Sequence, residues 1–233
     1  MTIRFIILLA ISSLISPFQK RSIHERWNIE LNKYVDQKGR VNYIEWNKNE
    51  EGLNAYIIIL KKNHPQKFWA KNQIKTYWIN AYNALTVKAI LNNYPINSIR
   101  DIKNIWSDKV INYSFKSYSL DEIEHEILRK MDDPRIHFAI NCASISCPKL
   151  LNSAYMPNKI EKQLEDSTRL FLLDSTKNII LKKEIKLSKI FLWFKKDFIN
   201  NERLMSFIEK YSLIQLDDPN VKYFPYDWNL NVQ

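Results

Sequence analysis

The sequence predicts an α+β fold: a helix-rich single domain with a buried central helix and a small antiparallel sheet. Three observations carry this. Helical patterns dominate the first half of the chain, and between Tyr77 and Leu91 the only polar residues are Asn80, Asn83, Thr86 and Lys88. A helix apolar on nearly all sides is a buried one. Short alternating runs come later, at residues 110–120 and 178–187, and helices followed by short strands is the α+β order.

The elements follow in turn. Arg26 to Tyr34 reads as a first helix, with a turn at Asp36 to Gly39, and Asn54 to Lys62 as a second helix ended before Pro65. The central helix is predicted from Phe68 to Tyr94, closed by Tyr94-Pro95. Val110 to Leu120 alternates as a hairpin around Lys116-Ser117. A helix then starts at Ser119, with Glu122 three residues on to complete a capping box, and runs through Met131. Ile136 to Asn141 reads as a short β-type run. Met156 to Leu173 is an amphipathic helix, and Asn178 to Leu187 a hairpin turning at Lys182-Lys183. Helices are expected at Ser188 to Phe198 and Asn201 to Tyr211, with an aromatic tail from Tyr223 to Trp228 packed back on the body.

Composition sets the outer limits. A chain of 233 residues that is 45% hydrophobic has material for one substantial core and no need of a second domain, so residues 20–233 are expected to form one unit. Gly39 and Gly52 are the only glycines, so no phosphate loop, dinucleotide fingerprint or Gly-x-Ser-x-Gly elbow can be written. The net charge is +10, yet the lysines occur as scattered pairs near acids or asparagines, which makes a solvated surface and gives no reason to expect nucleic acid as a partner. Residues 1–19 begin with Arg4 and an apolar run from Phe5 to Ile15, too short for a span of about 20 residues and suited to a secretory signal. The chain is therefore expected to be exported, periplasmic or secreted, with an uncleaved N-terminal anchor as the alternative and no other membrane span. No cofactor is implied, and no particular partner.

Reactive side chains concentrate between His137 and Pro148, and three chemistries compete for them. Cys142 and Cys147 are the only cysteines. In an exported protein a disulfide is the leading expectation, worth roughly 2 kcal/mol for so small a loop. Alternatively Cys147 is a thiolate nucleophile: Pro148 favours a helix start, whose dipole would lower the thiol pKa, and His137 would be the base. A zinc site of His137, Cys142 and Cys147 ranks last, because the spacing fits no usual ligand pair.

Glu124 bears on the nucleophile reading. It falls inside the apolar face made by Leu120, Ile123, Ile127, Leu128 and Met131, where a carboxylate needs a partner or a raised pKa. It either orients a catalytic imidazole or forms a structural pair, for example with Arg135, the second being the commoner arrangement. The Asn80 and Asn83 carboxamides must likewise be satisfied in the core or help build a site.

Tyr77-Trp-Ile-Asn-Ala-Tyr-Asn-Ala-Leu-Thr86, Leu120-Asp-Glu-Ile-Glu-His-Glu-Ile-Leu-Arg129 and Asp133-Pro-Arg-Ile-His-Phe-Ala-Ile-Asn-Cys-Ala-Ser-Ile-Ser-Cys-Pro148 resemble the domain of unknown function DUF547. Leu187-Ser-Lys-Ile-Phe-Leu-Trp-Phe-Lys-Lys-Asp-Phe198 and Tyr226-Asp-Trp-Asn-Leu-Asn231 are similar to its closing motifs. The resemblance implies an exported bacterial protein and a distant kinship with papain-like and transglutaminase-like thiol enzymes. Ala143 stands where glycine often follows the first cysteine, and Lys149 where a second proline is common. A missing glycine restricts the turn and weakens any role of its amides as an oxyanion hole.

Two functions from different classes are therefore expected. One is a thiol-dependent amide hydrolase or acyl transferase, with Cys147 as nucleophile (Cys142 in reserve), His137 as base, and Glu124 or Asn80 orienting it. The other is a non-catalytic binding or structural domain stapled by a Cys142–Cys147 disulfide.

Overall fold

A computed structural model of the chain describes residues 22–199 and 203–233; the targeting reading of residues 1–19 lies outside them. The architecture is helix-rich α+β, 49% helical with two small sheets. Helix α1 (Glu25–Tyr34) buries Trp27, Leu31 and Tyr34, spaced at four and three residues along one face. Two short helices follow, α2 (Tyr43–Lys48) and α3 (Glu51–Lys62). The sequence reading missed α2; its signal was Asn42, whose side chain accepts from the Glu45 amide at 3.0 Å.

Helix α4 (Lys71–Asn93) is the centre of the fold, 23 residues and so about 35 Å long. From Lys75 to Val87 every residue is buried, as the absence of a polar face requires. Helices α2 and α3 pack against it, with α1 packed in turn on α3, and the segment around residues 122–128 packs against it as well.

Strands β1 (Lys109–Asn112) and β2 (Ser117–Ser119) form the expected hairpin, with Ile111 opposite Tyr118. The capping box after β2 is made: Ser119 Oγ accepts from the Glu122 amide, and Glu122 accepts from the Ser119 amide. The helix it starts is a wide π-turn over Glu122–Leu128, tightening to a 3₁₀ turn at Arg129–Met131. Wide turns of this kind recur at functional sites.

Residues 136–141, expected as a strand, are not one. Asp133 accepts from the Arg135 amide and Pro134 opens a 3₁₀ turn over Pro134–Phe138. The Asp-Pro start signal outweighed the apolar alternation that followed it. Nor does a helix begin at Cys147-Pro148, so no helix dipole acts on Cys147 there. The chain stays irregular because the Asn141 side chain holds the Pro148 carbonyl at 2.6 Å.

Helix α5 (Ile160–Leu172) leads to β3 (Ile179–Ile180) and β4 (Glu184–Leu187), the second expected hairpin. The single helix read over residues 188–198 is instead α6 (Ile190–Trp193) and α7 (Lys195–Ile199), broken at Phe194. Helix α8 (Leu204–Ser212) precedes β5 (Asn220–Tyr223), which pairs parallel to β4 with Ile185 opposite Val221. The second sheet is therefore mixed, in the order β3-β4-β5.

Two apolar clusters make the interior. The larger surrounds α4; the smaller gathers Phe138, Phe171, Phe191, Phe198 and Phe207 with the second sheet. Residues 136–140 join the two, because Ile136, Ala139 and Ile140 belong to the first and Phe138 to the second. The cysteine segment starts from this seam. The tail then laces it down, with Ser144 bridged to Leu230 and the Ile145 amide donating to the Asn229 carbonyl at 2.8 Å.

Candidate thiol site

Four asparagine contacts fix the cysteine segment. Asn83, on α4, accepts from the Asn141 amide at 2.8 Å and donates to the Ala139 carbonyl at 2.9 Å. Asn141 in turn accepts from the Ala143 amide at 2.8 Å while holding the Pro148 carbonyl. Ala143 takes a left-handed φ of 60° inside this clamp, the conformation a glycine would adopt at lower cost. The turn folds Cys142 and Cys147 against each other.

Their sulfurs lie 3.0 Å apart, and both are free thiols. A bonded pair needs about 2.05 Å, so a shift of roughly 1 Å separates dithiol from disulfide. The Cys142 amide donates to Cys147 Sγ at 2.9 Å. Around Cys142 Sγ stand the Ser144 hydroxyl at 3.2 Å and the Tyr226 phenol at 3.4 Å, themselves hydrogen-bonded at 3.0 Å.

The two thiols are electrically unequal. The hydrogen bond with Cys147 first, then those from Ser144 and Tyr226, outweigh burial and hold the Cys142 thiol down to about 6. Burial first, then the adjacent Cys142 charge, pushes Cys147 well up. The shifts run in opposite directions, Cys142 down and Cys147 up, so Cys142 is the thiol that ionises first. Cys142 is also the half-buried member of the pair, and Cys147 the buried one.

A cavity of about 210 Å³ opens beside the pair, lined by Cys142, Cys147, Glu124, His137 and a set of aromatic rings. Glu124 comes from the π-turn. Its Oε2 accepts from the Tyr82 phenol at 3.2 Å, and its Oε1 stands 3.9 Å from His137 Nδ1. Burial, then the nearby Cys142 charge, raises its carboxyl to about 7. The pairing with Arg135 is not made, because Arg135 binds Asp133 at 2.8 Å and Glu161 at 2.6 Å.

His137 is buried, its ring stacked on Phe194 at 4.0 Å. Its Nε2 meets Asp197 Oδ2 at 2.8 Å. Burial lowers its pKa despite that carboxylate. Asp197 is gripped by Arg129 through two bonds of 2.6 and 2.7 Å. Burial alone would raise the Asp197 carboxyl, but Arg129 and His137 hold it well below the usual carboxylate range. Among the described residues neither cysteine sulfur is a hydrogen-bond partner of His137.

Of the residues singled out in the sequence, Cys142, Cys147, His137 and Glu124 therefore meet at one cavity. Asn80 does not. Its carboxamide donates to the Tyr155 carbonyl at 2.9 Å and accepts from the Tyr155 amide at 3.0 Å, a purely internal clamp. No group of three or more His, Cys, Asp and Glu among the described residues is placed to hold a metal ion. Asp197, Tyr226, Ser144 and the aromatic lining were not assigned roles from the sequence. Asp197 and Tyr226 both sit inside the closing motifs quoted above, which was the available signal.

Residues 66–172, which contain α4, the π-turn and both cysteines, match the family model described as protein of unknown function, DUF547. No curated protein and no solved structure matches the chain. Through this segment the chain is similar to the DUF547 family.

Proposed function

We propose that Cys142 and Cys147 form a redox-active dithiol that exchanges with disulfides entering the aromatic cavity. The observation that carries this is the 3.0 Å approach of two sulfurs in unequal surroundings: the Ser144 and Tyr226 hydroxyls stand against Cys142 Sγ, which favours ionisation of Cys142 over the buried Cys147. The Cys142 thiolate attacks one sulfur of a substrate disulfide; a mixed disulfide forms and one substrate thiolate leaves and takes a proton. The Cys147 thiol then gives its proton to a base and attacks Cys142 Sγ. That breaks the mixed disulfide, releases the second substrate thiol and leaves a Cys142–Cys147 bond. Glu124, near 7 in the same cavity, suits the role of that base. An external dithiol resets the pair by the reverse steps.

A second reading, acyl transfer by Cys142, is favoured by His137 and Glu124 lining the same cavity. It lacks ready oxyanion donors, since the Cys142 amide is committed to Cys147 Sγ and the Ala143 amide to Asn141. One variant separates the two. Cys147→Ser should trap a mixed disulfide on Cys142 under dithiol exchange, and should keep turning over amides or esters under acyl transfer. Mass spectrometry after treatment with 2-hydroxyethyl disulfide, an acyclic reagent whose mixed disulfide does not recyclise, reads the first outcome. The dithiol reading is lost if the wild type never forms the intramolecular bond across a wide range of dithiothreitol redox ratios, or if iodoacetamide labelling of Cys142 shows no midpoint near pH 6.

An exported location, argued from the apolar segment of residues 5–15, fits a chemistry whose substrates are disulfides. Fractionation of expressing cells, with the protein found only in the cytoplasm, would remove that part.

A further inference from the structure

The walls of the thiol cavity carry a charge pattern opposite to that of the protein. The chain has an excess of ten positive charges, yet among the described residues no lysine or arginine lines this cavity; its ionisable walls include Asp121, Glu124, two histidines and the two thiols. The remainder is largely π-surface: Trp106, Trp193, Phe194, Tyr226 and Trp228. Trp193 and Trp228 stack at 5.8 Å, and Tyr226 meets Trp193 at 4.8 Å, so the rings form one continuous wall.

The neighbouring charges do not reverse this. Arg129 lies over the Phe194 ring at 5.3 Å, but Asp197 neutralises it through two hydrogen bonds. His125 is 3.8 Å from Asp121, and burial lowers its pKa, so near pH 7 it leaves the Asp121 charge uncompensated. Arg100, over Trp228 at 5.5 Å, is a guanidinium that opposes the trend. Against it stand the Cys142 thiolate, Asp121 and a partly ionised Glu124.

We infer that the site selects disulfides flanked by positive charge, an ammonium or a basic peptide segment, and disfavours acidic ones. The inference rests on the dithiol reading above. A cation gains from the carboxylates and from ring faces, which attract cations within about 6 Å of the centroid. An anionic disulfide meets two carboxylates and a thiolate before it meets any free cation in the lining.

The test uses the reduced full-length protein and three small disulfides: cystamine (cationic), 2-hydroxyethyl disulfide (neutral) and dithiodiglycolate (anionic). Rates of Cys142 oxidation are compared with those of N-acetylcysteinamide, corrected to equal thiolate, because any thiolate prefers a cationic reagent to some degree. The expected result is a cystamine-to-dithiodiglycolate ratio about tenfold or more above that of the reference thiol. It should shrink several-fold in Asp121→Asn and in high salt. A ratio equal to the reference, or faster reaction with dithiodiglycolate, overturns the charge selection and leaves the dithiol reading standing. Failure of all three disulfides to oxidise the wild type removes both.

Discussion

The Asp197 carboxylate meets His137 Nε2 at 2.8 Å, across sixty positions of sequence, and the same carboxylate is held by Arg129. This contact ties helix α7 to the 3₁₀ turn that follows the π-turn and to the segment that leads into the cysteines. It also commits Nε2 of the imidazole, whose ring stacks on Phe194 at 4.0 Å.

Asp197→Ala should therefore loosen the site as well as the fold. It leaves the Arg129 charge and the His137 ring nitrogen without their shared partner, at an expected cost of about 2–3 kcal/mol for groups that are only partly exposed. The sign with pH follows from a carboxyl held below its unfolded value. Its contribution is full above about pH 4 and is lost as pH falls further. Urea denaturation of both proteins at pH 7 and near pH 3 checks this: the gap between them should narrow in acid.

Glu124 has the opposite sign. Burial raises its carboxyl to about 7, so the folded state favours the protonated form. The resulting stability is full below about pH 4 and disappears as pH rises towards 7. Glu124→Gln, a neutral isostere, should flatten this dependence and match or exceed the wild type in stability at pH 8. It should also slow release of the second substrate thiol from the mixed disulfide, because Cys147 loses its nearby base. A variant with wild-type resolution kinetics and an unchanged pH–stability curve would remove Glu124 from the site.

Ala143 is strained where the turn demands a left-handed residue. A non-glycine residue there costs about 1–2 kcal/mol, and glycine returns about 0.5–1 kcal/mol of that in unfolded-state entropy. Ala143→Gly should thus stabilise the protein by about 0.5–1 kcal/mol in chemical denaturation. A loss of stability would mean that the Asn141 clamp, rather than the backbone, sets the turn.

Much of the framework was legible in one dimension because its signals are local. The absence of a polar face from Tyr77 to Leu91 required burial of α4 on all sides, and Ser119 with Glu122 set the start of the next element. Local signals also misled where two competed. At residues 133–141 the Asp-Pro cap produced a 3₁₀ turn although the following residues alternate like a strand. At Phe194 a helical pattern broke because its ring is taken up by His137 and its neighbours.

By itself the sequence determined the α+β class, the buried central helix, the two hairpins and the short list of groups able to react. Only the tertiary structure decided how those groups combine. Asn80 looked as eligible as Glu124 until burial set Asn80 against the Tyr155 backbone and left Glu124 facing the cavity. Cys147 stood ahead of Cys142 until Ser144, and Tyr226 from 84 positions away, were brought against Cys142 Sγ. A thiol's ionisation depends on donors and charges within a few ångströms, and those neighbours are supplied by chain folding rather than by adjacency in sequence.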